Sequence, residues 1–247
     1  AIAASQYGAA EPADMAAAAL SRAIHSPAHP WYRAESDQTI ADLEALALED
    51  VRRYHRNRFE PNDLRIAVVG DIDPGAAAMA FDRALSAWPI ATVTRSVVSS
   101  ARASTPAHDA IADATTILLD APGSENTEVA LGHGLALRCG DPDALPLWLA
   151  NRILGVGFGS RLVAAVREAR GLTYAIHSGL TPPQPEFDGH WSVGVSLSPE
   201  RLEAGLAATR AEIERFVEEG VDAQTLEIKC RQAIGAFRIE LATLAGM

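Results

Sequence analysis

One lysine, Lys229, and two cysteines are all that the 247 residues contain of those types. Arginine therefore supplies nearly all the positive charge, and it is outweighed: the formal net charge is −11. Nucleic-acid binding draws its affinity from neutralised phosphates and needs a basic surface, so this balance argues against a nucleic-acid partner. Cys139 and Cys230 lie far apart, share no metal-type spacing and read as free buried thiols. No apolar run reaches the roughly 18–20 residues that cross a bilayer, so no membrane association is expected. The alanine-rich start, residues 1–20, has no basic segment leading into an apolar core and does not read as a signal peptide. It also opens without Met, as a mature, cleaved or excised piece would.

What is present suits a globular protein: 48% hydrophobic and 21% charged residues, in a length that holds one large domain or two small ones. The one basic cluster, Arg52, Arg53, His55, Arg56 and Arg58, falls at a helix end and reads as a solvated face complementing the helix dipole, with a partner site as the alternative. Two blocks emerge. In the first, residues 1–89, helices are expected over Thr39–Leu46 and Leu48–Asn57, with Leu43, Leu46, Val51 and Tyr54 at helical spacing. The turn signal Pro61-Asn62-Asp63 precedes Leu64–Val69, whose continuous apolar run predicts a buried strand. Asp73-Pro74 opens a further helix to about Ala87. Residues 90–108, rich in Ser, Thr, Ala and Val, read as a linker.

The second block, residues 109–247, predicts strands at Thr115–Leu119, Thr127–Leu137, Thr173–Leu180 and Trp191–Leu197. Helices are expected over Asp141–Leu154 and Ser160–Ala169, from Ser198-Pro199 to Glu219, and from Asp222 toward the C-terminus. Strands in antiparallel-looking pairs followed by runs of helices predict an α+β fold, a mostly antiparallel sheet layered with helices.

Chemistry concentrates in Gly155–Ser178, GVGFGSRLVAAVREARGLTYAIHS. Taken singly, its residues have plain readings. Arg167 beside the apolar positions Leu162, Val163 and Val166 snorkels to water, and Tyr174 is a half-buried strand aromatic. The loop Gly155–Gly159 follows a helix, whereas phosphate cradles follow a strand, so nucleotide binding is not indicated. A tight helix–helix turn needing positive φ accounts for its glycines equally well.

As a run, however, the stretch closely resembles the second-half signature of the insulinase/pitrilysin family of zinc peptidases, which includes the processing peptidases and their bacterial relatives. Ser160-Arg161-Leu162, Arg167-Glu168, Gly171-Leu172 and Tyr174 carry the match. His29-Pro30-Trp31-Tyr32 and Ala67-Val68-Val69-Gly70-Asp71 look like further landmarks in the family's order. The resemblance implies processing-peptidase-like (LuxS/MPP-like metallohydrolase) units. Residues 1–89 would be the end of a first unit and residues 109–247 a second unit cut short at its C-terminus. It also implies that Arg167 and Tyr174 act on a peptide substrate, that Gly155, Gly157 and Gly159 form a substrate-facing loop, and that the periplasm is favoured over the cytoplasm.

The family's zinc motif, His-x-x-Glu-His, is missing. His25 and His29 stand four apart, but no Glu lies between them and Pro27 disfavours a helix through them; His55, His108, His133, His177 and His190 form no ligand pair. No metal site is therefore expected in this chain. Zinc in the complete enzyme would come from residues outside it, on a missing half or a separate subunit, and this stretch alone would be inert. The resemblance thus implies the substrate-binding portion of a zinc metalloendopeptidase acting on unfolded peptides, or, alternatively, a non-catalytic peptide-binding subunit partnering a zinc-bearing one. Leu64–Val69 is further expected to complete the sheet of the second block, within the chain or by strand exchange in a homodimer.

Overall fold

A computed structural model describes residues 11–59, 64–88, 115–181, 184 and 187–242. The expected linker at 90–108 lies outside the described residues. The chain forms two compact units, residues 1–44 with 99–229, and residues 45–98 with 230–247. These units cut across the blocks read from the sequence, because the N-terminal helix packs on the sheet of the second block.

In the first unit, α1 (Pro12–Ile24) is followed by α2 (Ser36–Ala45). β1 (Thr127–Gly134), β2 (Ile176–Thr181) and β3 (His190–Leu197) form an antiparallel sheet in the order β1-β3-β2. Thr127 stands opposite Leu197, and Ile176 opposite Val195. The alternation along β3 sends Val193, Val195 and Leu197 to one face, where each is at most 2% exposed. That face carries the core. α5 (Ala144–Gly155) contributes Leu154, and the turn after it adds Leu162, Val163 and Val166; α6 (Leu202–Glu219) adds Ala208. Complete burial of Leu162 stabilises the fold by roughly 1.5–3 kcal/mol.

α1 was not legible as a helix in the alanine-rich start. It packs against β1 and β3, and its His25 meets His190 on the face of β3 opposite Val193. The sheet therefore has helices on both faces, and the α+β class expected from the sequence holds.

Two strand expectations fail here. Thr115–Leu119 is irregular, with Leu118 89% exposed. Leu64–Val69 in the second unit is likewise no strand: Leu64, Ile66, Val68 and Val69 are 44–54% exposed, and the segment is not in the sheet order. An apolar run becomes a strand only when a ladder partner accepts it, and none does among the described residues. The second unit otherwise holds α3 (Leu48–Arg58) and α4 (Pro74–Leu85), the latter capped by Asp73, whose Oδ1 accepts the Ala76 N–H at 2.7 Å. α3 has the expected solvated face, with Arg53 paired to Asp50 and Arg56 to Glu49. α7 (Ala223–Leu241) ends the described chain. No described helix is long and apolar enough to cross a membrane. Both cysteines are free as expected, but Cys139 is exposed because it sits in the turn that reverses at Gly140, φ +95°.

Candidate functional site

The glycine loop begins where α5 meets β2. Gly155 is buried there, and a Cβ on it would lie 2.4 Å from Ser178 Oγ and 2.5 Å from Ser178 N, so helix and strand touch only because the side chain is absent. Asn151, one turn earlier, fixes the same contact: its Oδ1 accepts from Ser178 Oγ at 2.7 Å and from Trp191 Nε1 at 3.0 Å. The chain then reverses at Gly157, φ +79°, whose carbonyl accepts the Ser160 N–H at 3.2 Å. Gly159 is tied by its carbonyl to Lys229 Nζ at 2.9 Å, so the single lysine staples the loop to the start of α7. Gly155 and Gly157 have conformational reasons to be there, Gly159 has none, and residues 156–159 are exposed.

After the loop the sequence predicts an ordinary helix over Ser160–Ala169. The structure widens it: Val163–Glu168 is a turn of π-helix, with the Ala169 N–H reaching the Ala164 carbonyl at 3.0 Å. The wide turn keeps both Val163 and Val166 in the core while Arg167 leaves it. Hydrophobic spacing alone does not separate this geometry from an α-helix. Glycine at 171, φ +59°, closes the turn, and its carbonyl accepts from Arg201 Nη1.

Thr173 then anchors the start of β2. It is 8% exposed, its Oγ1 donates to the Ser196 carbonyl, and it accepts the Ala175 N–H at 3.1 Å. Tyr174, between two anchored residues, projects outward and is 82% exposed, so the half-buried strand reading is wrong. Arg167 and Tyr174 do come together: the guanidinium Cζ stands 4.6 Å from the Tyr174 ring centroid. A third residue, which sequence reasoning missed, joins them. The ring centroid of Phe158, from the glycine loop, is 5.5 Å from the same Cζ. Arg167 Nε pairs with Glu168 at 3.3 Å, and its Nη nitrogens make no hydrogen bond among the described residues. The result is a partly buried cation, its side chain 26% exposed, seated beside two aromatic rings with unused donors.

A second constellation lies around α1. His25 and His29 stack at 4.2 Å, and His25 Nε2 is 2.9 Å from Nδ1 of His190, a partner 165 residues away that no spacing indicates. His190 Nε2 in turn contacts Thr181 Oγ1 at 3.1 Å. His29 Nδ1 accepts the Trp31 N–H at 3.1 Å, and Phe187 covers the His29 ring edge-on. Burial lowers the pKa values of His29 and His190; Asp188 raises that of His29 and His29 further lowers that of His190. His29 Nε2 is buried without a hydrogen-bond partner, but among the described residues no group of three His, Cys, Asp or Glu is arranged to hold a metal. The residues present do not fit a zinc centre.

The first constellation lies in a segment that matches a known family. The model of the peptidase M16 inactive domain matches residues 45–232, which include Phe158, Arg167 and Tyr174. The chain belongs to the peptidase M16 family. An uncharacterized zinc protease of Streptomyces coelicolor, SCO5738, is 26% identical over 184 residues, 74% of this chain but 39% of that protein. A crystal structure of a peptidase M16 inactive domain from Pseudomonas fluorescens has a TM-score of 0.71 at 23% identity, covering 95% of this chain and 53% of that one. A protease from Helicobacter pylori gives 0.77 at 17% identity, covering 98% and 58%. At such identities the two structures speak for the fold, and this M16 chain spans well under two thirds of each relative's length. His25 and His29 lie outside the matched M16 segment.

Proposed function

We propose that this chain is the substrate-binding portion of a zinc metalloendopeptidase that hydrolyses peptide bonds in extended, unfolded peptides. The observation that carries the reading is the seat of Arg167 beside Tyr174, with its Nη donors unused and the phenol 82% exposed. Both groups donate hydrogen bonds, and a peptide carbonyl, or the charge developing on it during hydrolysis, is their natural acceptor. Their work is positioning and electrostatic stabilisation, with no proton abstraction. Of the expected loop glycines, Gly155 is buried against Ser178 and faces no ligand, while the exposed backbone at Gly157 and Gly159 supplies an adjoining surface along which the peptide runs.

Zinc activates the attacking water in this chemistry, and the residues that hold it belong to a partner half or subunit outside this chain. The periplasmic location favoured by the resemblance belongs to the same proposal. So does a homodimer formed by strand exchange through Leu64–Val69. A second reading, a non-catalytic peptide-binding or scaffold subunit, is favoured by the match to a domain described as inactive.

The test combines the chain with a family half that carries the zinc motif. The chain alone should show neither zinc nor hydrolysis, and hydrolysis should appear only in the mixture. In that mixture Arg167→Ala should lower kcat/KM by about 30- to 1000-fold, the equivalent of about 2–4 kcal/mol. Tyr174→Phe should lower it by about 2- to 10-fold, the worth of one neutral hydrogen bond. Unchanged kinetics in Arg167→Ala would remove that residue from the mechanism. Peptide binding without hydrolysis in the mixture would favour the scaffold reading.

A further inference from the structure

We infer that Phe158 is a positioning residue for Arg167, holding the guanidinium where it meets the carbonyl of a bound peptide; the inference rests on the peptide-binding reading of Arg167. Phe158 stands on an otherwise glycine-rich loop and is 82% exposed. A large aromatic ring left in water on a fixed loop contributes nothing to the core. The loop is fixed at both ends: Gly155 is buried against Ser178 at one, and at the other Ser160 is fully buried and Lys229 holds the Gly159 carbonyl. The ring is therefore presented by a stapled support, 5.5 Å from Arg167 Cζ, beside the Tyr174 ring at 4.6 Å.

Ring faces restrain a guanidinium in a way that hydrogen-bond acceptors do not. They attract the cation through the aromatic quadrupole and leave its in-plane N–H groups unspent. Glu168, the only carboxylate paired with Arg167 among the described residues, engages Nε and is itself 63% exposed. Arg167 thus keeps its Nη donors for a ligand while two rings narrow the positions its long side chain samples. A preorganised donor loses less freedom when the peptide binds.

The experiment measures binding of a fluorescein-labelled, unstructured peptide of Leu, Ala, Ser and Gly to the full chain and its variants. Phe158→Leu keeps an apolar side chain but removes the ring face, and should weaken binding by about 2- to 5-fold. Phe158→Tyr keeps the face and should bind within about 2-fold of wild type. Because Phe158 acts through Arg167, Phe158→Leu should add no loss in an Arg167→Ala background. Thermal midpoints should stay level across the series, since both side chains lie outside the buried core. If Arg167→Ala weakens binding but Phe158→Leu does not, or if Phe158→Leu costs the same in both backgrounds, the inference is overturned and the role of Arg167 stands. If Arg167→Ala itself binds as wild type does, the parent reading falls and takes this one with it.

Discussion

Glu212 keeps its carboxylate at 4% exposure, in a place where an unpaired charge is not tolerated. Arg161 makes it tolerable. Its Nε lies 2.6 Å from Glu212 Oε1, its Nη1 donates to the Gly220 carbonyl at 3.3 Å, and its Cζ sits 5.3 Å from the Phe216 ring centroid. Arg215 reaches the other carboxylate oxygen at 3.1 Å. Replacing one member of a buried pair costs about 3–5 kcal/mol because its partner is left charged and dry. Arg161→Met keeps much of the packing stem and leaves Arg215 in place, so the expected loss is about 2–4 kcal/mol, read as a lowered urea midpoint with an unchanged slope. A second change, Glu212→Gln, should recover part of that loss; a double variant no more stable than Arg161→Met would show that the pair is not what matters. The sequence marks Arg161 only as part of Ser160-Arg161-Leu162, and its partner, 51 residues away, is visible only in the fold. Arg167 and Tyr174 were legible for the opposite reason: both belong to one continuous local run, so their spacing survives in the sequence alone.

Among the elements, α1 is followed by two histidines, His25 at its C-cap and His29 beyond it, that meet β3. Of the groups facing His29 and His190, His25 is a third imidazole, Asp188 is acidic, and Arg138 pairs with Asp188 at 3.3 Å; Thr181 and Phe187 are neutral. Burial is the largest influence on His29 and His190, and it lowers both from an ordinary value of 6.5. Below 6.5 the unfolded chain binds protons that the folded chain refuses, so stability is full above that value and is lost as pH falls through it. Urea midpoints measured from about pH 8 down to about pH 5 should therefore fall, and His190→Gln should flatten the fall even though it begins from a lower midpoint. An equal slope in His190→Gln would remove that residue as a source of the pH dependence. None of this was readable from spacing, since His25 and His190 meet only because α1 docks on β3. The π-helical turn was hidden for another reason: Leu162, Val163 and Val166 satisfy an α-helical pattern as well as the wider one they adopt.

The whole molecule distributes its apolar surface unevenly. The first unit concentrates its core between the sheet and α5 and α6, whereas Ala77 is the one buried hydrophobic residue among the described members of the second unit. The strand expected at Leu64–Val69 shows where local reading ends. Its apolar run is real, but pairing is a property of the partner, and among the described residues both β1 and β2 are edge strands of the three-stranded sheet. An apolar segment without a ladder partner and sheet edges unpaired among the described residues are complementary when two copies meet. Exchange of this segment between copies would satisfy backbone groups on both sides, which is the physical ground for the proposed homodimer. Sedimentation equilibrium of the wild-type chain should then show a concentration-dependent dimer. Val68→Lys, which places a charge in the middle of the run, should return it to monomer while leaving the far-ultraviolet spectrum of the folded units in place. A wild type that remains monomeric across the accessible concentrations would sink the exchange. A Val68→Lys chain that still dimerises would move the interface elsewhere, with Leu64–Val69 then left for the zinc-bearing partner to cover.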